Sequence, residues 1–122
     1  MIYTSYFAKL NKLPEDIVPI FICGKAPDFY KGLQYKILAP TYDIFTRWKK
    51  DHDNANYIIE YNTKVLSRLE PKRVINDLNN LSGGKDIALI CYEKSSDFCH
   101  RHLVAEWLNS NGYPCEEYNF GG

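Results

Sequence analysis

Five residues within one short stretch carry side chains able to do chemistry: Cys91, Glu93, Cys99, His100 and Arg101. Cys99 falls in the first turn of an expected helix, where it feels the positive end of the helix dipole and has His100 and Arg101 as neighbours. Such a setting lowers a thiol's pKa from about 8.5 by one to several units and produces a thiolate nucleophile near neutral pH. The competing role for the same residue is that of a small buried hydrophobe. Arg101 offers a flat fork that can grip a carboxylate or phosphate at two points while first-turn amides donate to the same anion. It can equally pair with Glu93 or Asp97 and brace the loop. His100 can serve as a general base, as a donor to a bound anion, or as a packed ring bonded to backbone. Glu93 can orient Arg101, act as a base, or accept from a ribose hydroxyl, and the residue types do not choose among these. His102 points elsewhere on the helix and reads as a surface residue.

Cys91, Cys99, His100 and His102 also supply atoms typical of zinc sites. Successive helical positions diverge by roughly 100°, so His100 and His102 do not readily converge on one ion. No CxxC or HxxxH spacing is present. Neither a metal nor a cofactor is expected. Lys64, Arg68, Lys72 and Arg73 lie close together in the chain but read as a solvated helical face, diluted by neighbouring glutamates.

Two elements must position these residues. Ile87 to Cys91 is apolar without alternation, the pattern of a strand buried on both faces of a parallel sheet. Tyr92 to Phe98 is a connection of the length usual in α/β units, and Asp97 is suited to cap the next helix. That helix begins near Cys99, carries Leu103, Val104, Trp107 and Leu108 on one face, and stops at Gly112. Cys91 and Glu93 thus sit at a strand's carboxyl end facing Cys99, His100 and Arg101, the place where open α/β sheets bind ligands.

Upstream, Ile2 to Phe7 reads as a first strand, and Ile17 to Cys23 as a second in which Pro19 argues for an edge or a bulge. Gly24 to Gln34 reads as an exposed turn region, and Tyr35 to Leu38 as a short strand or an extended run into Pro40. A short helix comes after Thr41 with Ile44, Phe45 and Trp48 on one face. Asp53 caps a longer one through Arg68, with Ile58, Tyr61, Val65, Leu66 and Leu69 at helical spacing. Pro71 opens a third, with Val74, Ile75, Leu78 and Leu81 as its stripe and Ser82, Gly83 and Gly84 as its end. Pro114 to Tyr118 reads as a last short strand. The alternation of β and α runs predicts a single α/β domain over residues 1–122, Rossmann-like, with a mostly parallel sheet flanked by helices.

Composition narrows the partners. Fifteen basic residues offset fifteen acidic ones, so no global field draws the chain onto nucleic acid or an anionic membrane. No segment approaches the roughly 20 apolar residues of a membrane span. The amino terminus lacks a basic region followed by an apolar stretch, so no signal peptide is read and a cytoplasmic location is expected. The four cysteines lack the close pairing of a disulfide framework and are expected to be reduced. Oligomeric state is not legible.

The run ALICYEKSSDFCHRHLVAEWL, Ala88 to Leu108, resembles the hallmark of the domain of unknown function 488 family: a strand ending in Cys, then Glu, then a Cys-His-Arg triplet opening a helix. Weaker similarity extends to TSYFAKL near the start, to Leu38 to Pro40, and to the helix bearing Tyr57, Tyr61 and Leu66 to Leu69. The resemblance implies a Rossmann-like α/β fold and a site at Cys91, Glu93, Cys99, His100 and Arg101. It implies no settled activity, with links to DNA repair or nucleotide metabolism as suggestions.

The leading expectation is a domain that binds a small anionic, nucleotide-like ligand at the strand-to-helix crevice. Arg101 and first-turn amides would hold the anion beside Cys99, His100 and Glu93, and Tyr6, Phe7 and Tyr92 would form an aromatic wall for the base. The alternative is a thiol-dependent enzyme with Cys99 or Cys91 as nucleophile, His100 or Glu93 as proton carrier and Arg101 as stabiliser. A third reading, a nucleic-acid-associated protein of DNA-repair type, is disfavoured by the neutral charge.

Overall fold

The computed structural model describes residues 1–92 and 98–121. Five strands, β1 (Ile2–Tyr6), β2 (Ile17–Phe21), β3 (Leu33–Gln34), β4 (Asp86–Cys91) and β5 (Cys115–Glu117), form one sheet in the order β3-β2-β4-β1-β5. Every pairing is parallel. Helices α1 (Tyr42–Asp51), α2 (Asn54–Lys64) and α3 (Pro71–Ser82) fill the passage from β3 to β4, and α4 (His100–Ser110) the passage from β4 to β5. The architecture is the expected Rossmann-like α/β arrangement, with the sheet all parallel.

β4 lies between β2 and β1, in register Ile20 with Leu89 and Thr4 with Leu89. Ile87 to Cys91 are all buried, which is why that run shows no alternation. β2 hands the chain to β3 at one edge of the sheet, whereas β4 hands it through α4 toward β5 at the other. Connections that diverge in this way leave a crevice outside the carboxyl ends of the two strands. Cys23 and Cys91 follow or end these strands.

Several local readings need correction. The first strand stops at Tyr6 because Phe7 opens a 3-10 turn over Phe7–Lys12. Pro19 lies in a strand with neighbours on both sides, but β3 pairs only from Ile20 onward. Pro19 itself therefore sits where β2 has an edge, and its missing amide breaks no ladder. Where Tyr35 to Leu38 was read as a short strand or an extended run, the strand is instead the two residues Leu33–Gln34, followed by a 3-10 turn at Lys36–Leu38. Burial decides this: Leu38 is fully enclosed and its carbonyl accepts from the Tyr61 hydroxyl at 2.6 Å. Within the supposed exposed region, Tyr30 is buried and donates to the Leu33 carbonyl at 2.7 Å. The second helix ends at Lys64, short of Arg68, with Val65 as its C-cap, and a 3-10 turn takes over at Leu66–Arg68. Phe45 and Leu81 lie on their predicted stripes yet remain exposed.

The caps follow their chemistry. The Asn56 amide donates to Asp53 Oδ1 at 3.0 Å at the start of α2. Thr41 precedes α1 without capping it, its hydroxyl bonding Asp43 instead. Asp97 lies outside the described residues, and the cap position of α4 belongs to Cys99 in extended conformation. Among the described residues no helix is long and apolar enough to cross a membrane.

Gly83 closes α3 at φ 68°, and a Cβ built there would meet nothing within 4 Å. A side chain there costs only backbone strain, so Gly83→Ala should lower unfolding free energy by about 1 kcal/mol. Urea denaturation checks this; an unchanged midpoint would mean that the left-handed turn contributes nothing.

Candidate active site

The site is built where the ends of β2 and β4 meet the start of α4. His100, the first residue of α4, is buried, and its Nε2 lies 2.9 Å from the carbonyl oxygen of Ile22. A carbonyl only accepts, so Nε2 carries a proton and the neutral ring has its lone pair at Nδ1. Two sulfurs approach that atom, Cys91 Sγ at 3.7 Å and Cys99 Sγ at 3.8 Å. Cys91 Sγ is also 3.8 Å from Nε2. A sulfur on the Nδ1 lone-pair line would be clearly farther from Nε2, so Cys91 lies over the ring and Cys99 is left as the hydrogen-bond partner of Nδ1.

A third sulfur, that of Cys23, completes the cluster: Cys23, Cys91 and His100 offer ligand atoms all within 4.8 Å of one another. The set weighed from sequence was Cys91, Cys99, His100 and His102; among the described residues the structure instead groups Cys91 and His100 with Cys23 and leaves out Cys99 and His102. Cysteine and histidine suit zinc chemically. The position of Cys91 off the Nδ1 lone pair suits thiol–imidazole contact better than joint coordination. His102, read as a surface residue, is half-buried with its Nε2 closed off from solvent.

The electrostatics divide the thiols. A hydrogen bond from the Cys91 thiol lowers the pKa of Cys99, and the hydrogen bond and charge of His100 and the Arg101 backbone amide act the same way against burial. Burial would depress His100, but its hydrogen bond to Cys99 and the thiolate charge reverse the sign and raise it. Cys99 and His100 thereby favour a thiolate–imidazolium pair. Cys23 is also lowered, chiefly by the Cys91 thiol, whereas burial pushes Cys91 well above the ordinary range. Burial pushes the distant Cys115 up to about 12.

Cys23, Cys99 and His100 line a cleft of about 980 Å³. Its wall carries Tyr42, Phe45, Trp48, Tyr57, Tyr92 and Phe98. Trp48 stacks on Phe98 at 5.8 Å between centroids, and Tyr57 meets Phe98 edge-on at 4.9 Å. Exposed Lys25 and Lys49 border it. Of the aromatic wall expected from sequence, Tyr92 is present, held by its hydroxyl to the Lys25 carbonyl at 2.6 Å. Tyr6 and Phe7 are not among the lining residues described: Tyr6 covers Arg101 at 5.6 Å, and Phe7 packs edge-on against Phe21, Phe29 and Tyr30.

Arg101 is fully enclosed. Its Nε donates to Glu117 Oε1 at 3.1 Å and its Nη2 to Oε2 at 3.0 Å. The fork thus holds an internal carboxylate in the two-point geometry expected for a ligand, and it ties α4 to β5. Thr4 on β1 donates to the same carboxylate at 2.6 Å. Glu93, assigned to the site from sequence, lies outside the described residues. Sequence reasoning missed Cys23, Glu117 and the wall from α1 and α2.

Fold and site define a parallel α/β domain with a cysteine–histidine pair at the strand-to-helix crevice. A sequence model described as the Active DUF488-N3 subclade matches residues 8–112, and the chain belongs to the DUF488 family. Comparison with curated proteins and with solved structures gives no match.

Arg101→Lys keeps the charge but loses the paired fork, and should cost about 2 kcal/mol of stability. Glu117→Ala removes both carboxylate contacts of the buried guanidinium and should cost roughly 3 kcal/mol. Equilibrium unfolding in urea measures both; neutral effects would return Arg101 to the role of ligand holder.

Proposed function

We propose that the protein is a thiol-dependent enzyme acting on a small, flat, anionic molecule of nucleotide-like character held in the aromatic cleft. The observation that carries this reading is the 3.8 Å contact of Cys99 Sγ with a His100 Nδ1 whose tautomer is set by the Ile22 carbonyl. A nucleophile beside a base oriented by a third group is the arrangement of covalent catalysis. The description of the matching subclade as active agrees with an enzyme.

In this reading the Cys99 thiolate attacks an electrophilic carbon, a C–S bond forms, and the bond to the leaving group breaks. The imidazolium gives its Nδ1 proton to the leaving group. Water then attacks the same carbon, His100 takes back a proton, and the thiolate is released. The aromatic wall supplies faces for a planar ring. Lys25 and Lys49 supply positive charge at the border for an anionic group, the part first assigned to Arg101. Arg101 contributes through its backbone amide, which favours the thiolate.

Iodoacetamide labelling with peptide mapping across pH tests this. Cys99 should react in the folded protein with a midpoint well below the free-thiol value of about 8.5, while Cys91 and Cys115 stay protected until unfolding. The sign comes from the pair: thiolate exists above the lowered pKa of Cys99, and the proton on His100 is lost above its raised pKa, so catalysis should show a bell-shaped profile. His100→Asn should move the labelling midpoint up toward the ordinary range. If Cys99 stays inert until the chain unfolds, it is a packing residue and the enzyme reading fails.

A further inference from the structure

Catalysis by Cys99 and His100 leaves two thiols beside them without a task. Cys91 has no exposed surface and contacts the same imidazole nitrogen as Cys99. Its sulfur also lies within 4.8 Å of that of Cys23. Cys23 and Cys99 line the cleft, so a small solute reaches them but not Cys91. All four cysteines are free thiols, so the cluster stands in its reduced form.

We propose that this cluster is an oxidation site in which Cys99 is the peroxide-reactive sulfur and Cys91 the resolving one, so that a peroxide entering the cleft closes a reversible Cys91–Cys99 disulfide. The proposal rests on the reading of Cys99 as the nucleophile and extends it to the regulation of that site. In the first step the Cys99 thiolate attacks one peroxide oxygen, the O–O bond breaks, and the departing alkoxide or hydroxide takes the proton of the His100 imidazolium. Cys99 becomes a sulfenic acid, oxidised by two electrons, and the peroxide becomes an alcohol or water. In the second step the sulfur of the Cys91 thiol, packed over the imidazole 3.7 Å from Nδ1, attacks that of Cys99 and gives up its proton. The S–O bond breaks and hydroxide leaves with that proton as water. Two thiols and one peroxide thus become one disulfide, one alcohol or water, and one further water.

The geometry favours Cys91 over Cys23 as the resolving residue. Cys91 packs over the ring whose Nδ1 Cys99 bonds, so both sulfurs lie against one imidazole. Cys99 is the cap residue of α4, extended at φ −154° and ψ 144°, and so lies outside the helical ladder. The sulfurs must close to about 2.05 Å for a bond. Rotation at Cys99 can supply that movement at the expense of one terminal contact, His102 N to Cys99 O at 3.2 Å. Without a resolving thiol, sulfenic acid proceeds to sulfinic acid, which ordinary thiols do not reverse. A buried partner protects the nucleophile by diverting it.

The test uses the full chain, treated with hydrogen peroxide, alkylated, digested without reductant and mapped by mass spectrometry, with native mass spectrometry of the untreated protein alongside. The expected result is one Cys91–Cys99 linked peptide pair, two fewer titratable thiols, and full recovery on adding dithiothreitol. Cys91→Ala should instead accumulate sulfinic acid at Cys99, with circular dichroism confirming that the variant folds; the wild-type map stands if it does not. A Cys23–Cys91 or Cys23–Cys99 link, or sulfinic acid at Cys99 in the wild type, would overturn the assignment. So would zinc retained by the untreated protein with the cluster thiols masked. Cys99 that alkylates with iodoacetamide but ignores peroxide removes this inference and leaves the catalytic reading intact. Cys99 inert to both removes the catalytic reading.

Discussion

The hydrogen bond from His100 Nε2 to the Ile22 carbonyl at 2.9 Å is the contact on which the site depends. It joins the first turn of α4 to the residue just beyond β2, and so fixes where the helix begins relative to the sheet. It also fixes proton chemistry. With Nε2 committed to a carbonyl, the neutral ring can accept only at Nδ1, which faces the sulfurs. Without that bond the ring could rotate or change tautomer, and the Cys99 contact would lose its direction.

A second tie holds α4 along its length. Arg101 comes directly after His100 and its fork runs the other way, to Glu117 on β5. An arginine buried without a partner would be costly, and this one is satisfied by a carboxylate that Thr4 also bonds. The Cys-His-Arg triplet therefore divides its work: Cys99 and His100 face the cleft, and Arg101 faces the sheet and clamps the helix. Adjacent helical residues diverge in direction, so a triplet cannot place all three side chains in one pocket.

That division explains what was legible in the sequence. The buried strand at Ile87 to Cys91, the Asp53 cap, the Pro71 start and the glycines at 83 and 112 are local signals, and the structure contains each. The Cys99–His100 pairing was legible because both residues open one helix. The role of Arg101 was not, since Glu117 is 16 residues away and becomes its neighbour only through the pairing of β5 with β1. Of the expected wall Tyr92 lines the cleft, whereas Tyr6 and Phe7 pack elsewhere and the rings beside Tyr92 include Trp48 and Tyr57, from helices whose docking no local pattern reveals. Cys23 did leave a signal. Both apolar runs, IVPIFIC and IALIC, end in cysteine. Neighbouring parallel strands put both carboxyl ends on one side of the sheet, so two such endings predict two adjacent thiols.

Three thiols around one imidazole also impose a limit on charge. Cys23 and Cys99 each gain from the hydrogen of Cys91, but Cys91 has only one to give. Two thiolates this close in a buried setting repel strongly, and a single imidazolium can balance one of them. The choice falls to whichever sulfur His100 contacts at its accepting nitrogen, and that is Cys99 at 3.8 Å. Cys91, held protonated by burial, then acts as a donor to the thiolate and not as a rival to it. The arrangement favours the thiolate at the sulfur that bonds Nδ1, while a second, fully enclosed and protonated, packs over the same imidazole.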